Sequence, residues 1–75
     1  MKEISDLTDK GEDFLENGQY EDALRCFEQA ILMDSKDPDL WNLKAVVLRS
    51  MGRHEEAIEC FNKSLKIDPR DKNAS

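Results

Sequence analysis

Apolar residues recur along the first half of the chain at helical intervals: Leu7, Gly11, Phe14 and Leu15, then Ala23, Leu24, Phe27, Ala30 and Ile31 after a break at Gly18. Such spacing gathers the apolar side chains on one face of an α-helix. In the second half, Leu40, Trp41, Leu43, Ala45, Val46, Val47, Leu48 and Met51 spread round most of a helix, which predicts an element covered by neighbours on several sides. The punctuation agrees. Gly18 and Gly52 follow apolar-periodic stretches, where a helix C-terminus needs a residue tolerant of positive φ. Glu21, Asp22, Glu55 and Glu56 load the first turns of the helices that come next, favourably for their dipoles. Asp37 before Pro38 reads as an N-cap carboxylate followed by a proline at the first helical position, and Pro69 as a stop. The pattern predicts four helices, over 4–17, 20–33, 38–51 and 54–67.

The pattern also repeats. Shifting the chain by 34 places pairs Lys10 with Lys44, Gly18 with Gly52, Glu21 with Glu55, Ala23 with Ala57, Cys26 with Cys60, Phe27 with Phe61, Asp34 with Asp68 and Asp37 with Asp71. Conservative pairs fill the intervals: Phe14 with Leu48, Asp22 with Glu56, Leu24 with Ile58, Ile31 with Leu65, Met33 with Ile67. The chain therefore reads as one array over 1–75, with a first unit at 4–37, a second at 38–71, and residues 72–75 either beginning a third unit or forming a disordered tail. Small residues, Gly11 or Ala45 on one helix and Ala23 or Ala57 on the next, let two backbones approach to about 8–10 Å. Phe27 and Phe61 are expected to fill the space between. The first helix, bearing Asp6, Asp9, Glu12, Asp13 and Glu16, reads as the solvated end of the stack.

A unit of 34 residues with Trp41, Ala45, Leu48, Gly52, Ala57, Phe61 and Pro69 in its second copy, and Gly11, Phe14, Gly18, Tyr20, Ala23, Phe27 and Ala30 in its first, resembles the tetratricopeptide repeat over about residues 4–71. The resemblance implies an all-α fold: two helix-turn-helix repeats, four antiparallel helices, in a short right-handed α-solenoid. The chain departs from the family pattern at Lys10 and Lys44, where Leu is usual, at Leu7 in place of Trp, at His54 in place of Tyr, and at Ser35 in place of Pro. These departures bear on partner preference more than on fold.

Size and charge narrow the function. A 75-residue chain of 8.7 kDa hides only about 60% of the surface its unfolded form exposes, too little for a large enclosed catalytic cavity. Its 11 basic and 17 acidic residues, net −6, work against nucleic acid and against anionic membranes. Residues 1–37 hold 4 basic and 11 acidic side chains, while residues 38–75 hold 7 and 6, so the molecule is electrically lopsided. No apolar run reaches the roughly 20 residues of a membrane span, and the N-terminus lacks a secretory pattern, so a cytoplasmic location is expected.

Candidate chemistry is sparse. Cys26 and Cys60 with His54 lack the close Cys spacing of a structural zinc site. Equivalent positions of stacked units lie near 10 Å apart, beyond the roughly 7 Å limit for a disulfide, so both thiols are expected to be reduced. His54 has Arg53, Glu55 and Glu56 for neighbours and no nucleophile, and reads as a helix-start residue at the edge of the core. The pairs Glu12/Glu16 and Asp9/Asp13 share a helix face, which a solvated surface explains as well as an acid and base would. No phosphate loop, nucleophile elbow or zinc-protease motif appears. The sequence supports neither an enzyme nor a cofactor.

What remains is binding. In tetratricopeptide proteins the first helix of each pair forms an inner face that receives a partner peptide. By register that face here carries Ser5, Thr8, Asp9, Glu12 and Glu16 from the first unit and Asp39, Asn42, Leu43, Val46 and Arg49 from the second. It is acidic at one end and apolar at the other, which suits a protein or peptide segment combining Lys or Arg with an aliphatic anchor. Relatives that grip acidic chaperone tails use Lys and Asn where this chain has Thr8, Glu12 and Leu43, so that partner class is disfavoured. The alternative for this face is a solvated surface that binds nothing. A rival function is self-association. Ile58 and Leu65 correspond to Leu24 and Ile31, which the third helix is expected to cover, leaving the second pair open. A two-fold homodimer, with or without exchanged helices, is expected there; charge alone favours head-to-tail stacking of the acidic unit on the more basic one.

Overall fold

The computed structural model describes residues 2–68. Four α-helices follow one another: α1 Lys2–Glu16, α2 Tyr20–Met33, α3 Pro38–Ser50 and α4 His54–Ile67. They pack in sequence order, α1 on α2, α2 on α3 and α3 on α4. Helix edges fall within two residues of the positions the apolar pattern implies. Pro69 and the tail at 72–75 lie outside the described residues.

The two turns inside the helix pairs are built alike. Gly18 and Gly52 have φ of 80° and 83°, a region costly for any residue with a Cβ. In the first turn Gly18 N–H donates to Leu15 O at 3.1 Å and Gln19 N–H to Phe14 O at 2.8 Å. In the second, Gly52 N–H donates to Arg49 O at 3.0 Å and Arg53 N–H to Leu48 O at 2.9 Å. This paired bonding is the Schellman arrangement, which satisfies the last carbonyls of a helix. Neither α2 nor α4 has a side-chain N-cap. α3 has one, because Asp37 Oδ1 accepts from Asp39 N–H at 3.0 Å with Pro38 at the first helical position. The connection at Ser35, where the family places proline, is held instead by Trp41, whose indole Nε1–H donates to Ser35 O at 2.9 Å.

Three apolar clusters run along the stack. Ala30, Ile31 and Leu40 bury against Ile4, Leu7 and Trp41; Ala23, Phe27 and Val47 against Phe14, Leu15, Tyr20 and Leu43; Ala45, Leu48, Ala57 and Cys60 against Leu24, Trp41 and Phe61. Trp41 joins two of them. Lys44, standing where Leu is usual, lays its ammonium 5.6 Å from the Trp41 ring centre and 3.5 Å from Glu28 on α2, so its charge stays paired while its stem covers the ring. Lys63 lies 5.5 Å from the same ring centre.

The two phenylalanines differ. Phe27 is 0% exposed, but Phe61 is only half-buried, because α3 covers α2 whereas no described helix covers α4 in the same way. Gly11 faces Phe27 so closely that a Cβ there would sit 2.6 Å from Cε1 and 2.7 Å from Cζ. His54 is exposed at the start of α4 rather than lodged at the core edge. Cys26 and Cys60 are both free thiols, Cys26 half-buried and Cys60 buried. Burial pushes the Cys60 thiol above its ordinary pKa, against the pull of Lys44 and with help from Glu59, Glu56 and Glu28.

Phe27→Ala should cost about 3–5 kcal/mol and Phe61→Ala roughly half as much, measured by urea unfolding followed by circular dichroism. Gly11→Ala gains about 1 kcal/mol of helix propensity and loses about 1–3 to overpacking against a ring with no room to retreat. Its Tm should therefore fall despite the better helix former; a rise would place the Gly11–Phe27 contact wrongly. Native protein treated with iodoacetamide should carry the label on Cys26 first, since the reactive thiolate of Cys60 is both hidden and suppressed. Peptide mass mapping would contradict this if Cys60 reacted first at pH 8.

Candidate peptide-binding groove

α1 and α3 lie side by side on one edge of the stack. Between them runs a groove of about 380 Å³ lined by Ile4, Thr8 and Glu12 from α1, Asp37 from the preceding turn, and Asp39, Leu40, Asn42 and Leu43 from α3. Its composition follows from the helix register. Leu40 is held in the core and shows only an edge, whereas Ile4 and Leu43 are half-buried and form the apolar floor. Glu12, Asp39 and Asn42 are exposed on the rim. Thr8 is half-buried, and its hydroxyl donates to Ile4 O within its own helix, leaving the oxygen to accept. Asp37 spends one carboxylate oxygen on the cap of α3.

The groove thus offers an aliphatic floor, three carboxylates and one amide. That set can hold an aliphatic side chain flanked by cations. No Lys, Arg, His or Cys side chain lines it. Among the described residues, no group of three or more His, Cys, Asp or Glu side chains is placed to hold a metal ion. No helix among them is long and apolar enough to cross a membrane.

Of the residues expected on the inner face, Thr8, Glu12, Asn42 and Leu43 come together in this groove, with Asp39 beside them. Asp9 and Glu16 are exposed on α1 and do not line it. Val46 is half-buried further along α3 and also stands outside. Arg49 points elsewhere: its guanidinium lies 6.0 Å from the ring centre of Phe61 and shields that half-buried ring. Ile4, Leu40 and Asp37 line the groove as well, although periodicity marks Leu40 as core and Asp37 as a cap. Only the packing of both α1 and α3 against α2 turns those same side chains toward a shared cleft.

Comparison with curated proteins finds no match. The family model for the tetratricopeptide repeat matches residues 8–72, which takes in α2, α3, α4 and most of α1. With four helices in two glycine-turned pairs and this match over most of its length, the chain belongs to the tetratricopeptide repeat family.

Proposed function

We propose that this chain is a protein-interaction module that holds a segment of a partner protein in the groove between α1 and α3 and performs no catalysis. The family is one of protein-interaction scaffolds. The observation that carries the finer reading is the convergence of an aliphatic floor, Ile4 and Leu43, with the carboxylates of Glu12, Asp37 and Asp39 in one groove. A volume of about 380 Å³ accommodates a few side chains rather than a folded ligand. The matching segment is extended or helical, with an aliphatic anchor and Lys or Arg beside it. The chain's net charge of −6 opposes phosphate-rich and anionic membrane partners, and nothing in the groove calls for a cofactor.

Self-association is a second reading, favoured by Ile58. It is 56% exposed on α4, whereas its counterpart Leu24 packs between two of the core clusters. Leu65 is likewise less covered than its counterpart Ile31.

Peptides pairing Lys or Arg with Leu or Ile should bind with modest affinity. Binding should weaken with salt, because the rim charges are exposed and the Debye length at physiological ionic strength is about 8 Å. Glu12→Lys combined with Asp39→Lys should reduce affinity about tenfold or more, the equivalent of about 1.4 kcal/mol, without loss of helix content. Isothermal titration with basic and acidic peptides of matched length decides the matter. Preference for the acidic peptide, or indifference to the double substitution, would remove the groove from consideration.

A further inference from the structure

In the first helix pair, α3 covers α2 by seating Leu40 against Ala30 and Ile31, and Leu43 and Val47 against Phe27. Shifting by one unit gives the face of α4 that would be covered in the same manner. It is open: a cleft of about 330 Å³ runs between α3 and α4 over Phe61, Ser64 and Leu65, at the place α3 fills one unit earlier. Beside it Ile58 stands 56% exposed.

A second copy of the chain could present two different surfaces to that face. Head-to-tail stacking would set α1 of the second copy where α3 sits in the first pair. The positions of α1 and the turn after it that correspond to Leu40, Leu43, Val47 and Met51 are Asp6, Asp9, Asp13 and Asn17, all exposed. Three carboxylates would then have to enter a cleft that already holds the carboxylates of Asp39 and Asp68 beside Phe61 and Leu65, so desolvation and like charge both oppose this stacking. Part of the lopsided charge that favours this stacking at long range resides on the very residues that forbid it at contact.

The other surface is α4 itself. Glu55, Glu59 and Lys66 are exposed and fall within about 40° of one another around the helix, along one flank of the Ile58–Leu65 strip. The acids lie in the first half of α4 and the lysine in the last turn. An antiparallel copy that sets Ile58 against the second copy's Leu65 carries Lys66 to a point between Glu55 and Glu59 across the interface, and does so twice by symmetry. The face is therefore self-complementary in shape and in charge, which a two-fold pairing requires.

Building on the self-association reading, we propose that two copies pair about a two-fold axis, α4 antiparallel to α4. Ile58, Phe61 and Leu65 form the contact, and Lys66 is bracketed by Glu55 and Glu59 of the second copy. α4 is only about 21 Å long, so the interface is small and the dimer weak. Charges at its edge choose the orientation more than they add strength.

Sedimentation equilibrium of the 75-residue chain tests this, from about 10 μM to 1 mM, with helix content followed in parallel. The expected result is a monomer–dimer equilibrium that Lys66→Glu weakens about tenfold and that Glu55→Lys with Glu59→Lys weakens similarly. All three substitutions together should return the dissociation constant to near the starting value. These positions are exposed, and although the changes oppose the dipole of α4, the helix content followed in parallel separates loss of helix from loss of pairing. If the dimer forms but ignores the charge changes, or the triple variant fails to recover, the antiparallel pairing is overturned while self-association stands. Mass growing past two copies overturns it in favour of open stacking. A chain that stays monomeric at 1 mM removes both the pairing and the reading it rests on.

Discussion

The ring of Phe27 against the bare Cα of Gly11 sets the geometry on which the rest of the molecule depends. Because Gly11 has no Cβ, α1 approaches α2 closely enough to seal the ring completely, and Ala23 on the facing helix keeps the approach open. The sealed pair then presents a firm surface to α3, whose Val47 closes the same cluster. Everything beyond follows from that seat. α3 comes to lie beside α1, the groove opens between them, and the second pair repeats the arrangement with Ala45 in place of the glycine and a looser ring in Phe61.

The two ends of the stack are chemically unlike. α1 turns Asp6, Asp9 and Asp13 outward, so its outer face is finished in water. α4 turns outward an incompletely covered strip of Ile58, Phe61 and Leu65. The carboxylates of α1 stand where α3, one unit on, carries Leu40, Leu43 and Val47, whereas Ile58, Phe61 and Leu65 of α4 repeat Leu24, Phe27 and Ile31 of α2 and differ from them in being less covered. Fully covering an Ile or Leu side chain is worth roughly 1.5–3 kcal/mol, so the two outer faces differ in the apolar surface they leave to water.

The departures from the usual repeat pattern have local compensations. Ser35 lacks the rigidity of proline, and the Trp41 indole fastens its carbonyl instead. Lys44 replaces an aliphatic residue but lies along Trp41 and reaches Glu28, so a charge is kept at the boundary between α2 and α3 without being buried alone. In the groove, Glu12 is an acid on a rim it shares with Asp39 and Asn42, above a floor of Ile4 and Leu43.

The number of helices, their edges and their pairing were legible in the chain, because each rests on short-range chemistry. Glycines at 18 and 52 must end helices, Asp37 with Pro38 must begin one, and a period of 34 residues must stack like on like. Phe27 and Phe61 read identically by that period, and only packing separates them, since burial depends on what lies across the helix rather than along it. The groove divides the same way. Thr8, Glu12, Asn42 and Leu43 follow from register once the family resemblance has named the inner face, but Asp37 and Leu40 join them, and Arg49 lies instead by the Phe61 ring, through the placement of α3 between α2 and α4. Periodicity determines which face of a helix a residue occupies. The neighbour that face meets, and therefore whether a side chain is sealed, exposed or turned into a cleft, is decided only when the helices are assembled.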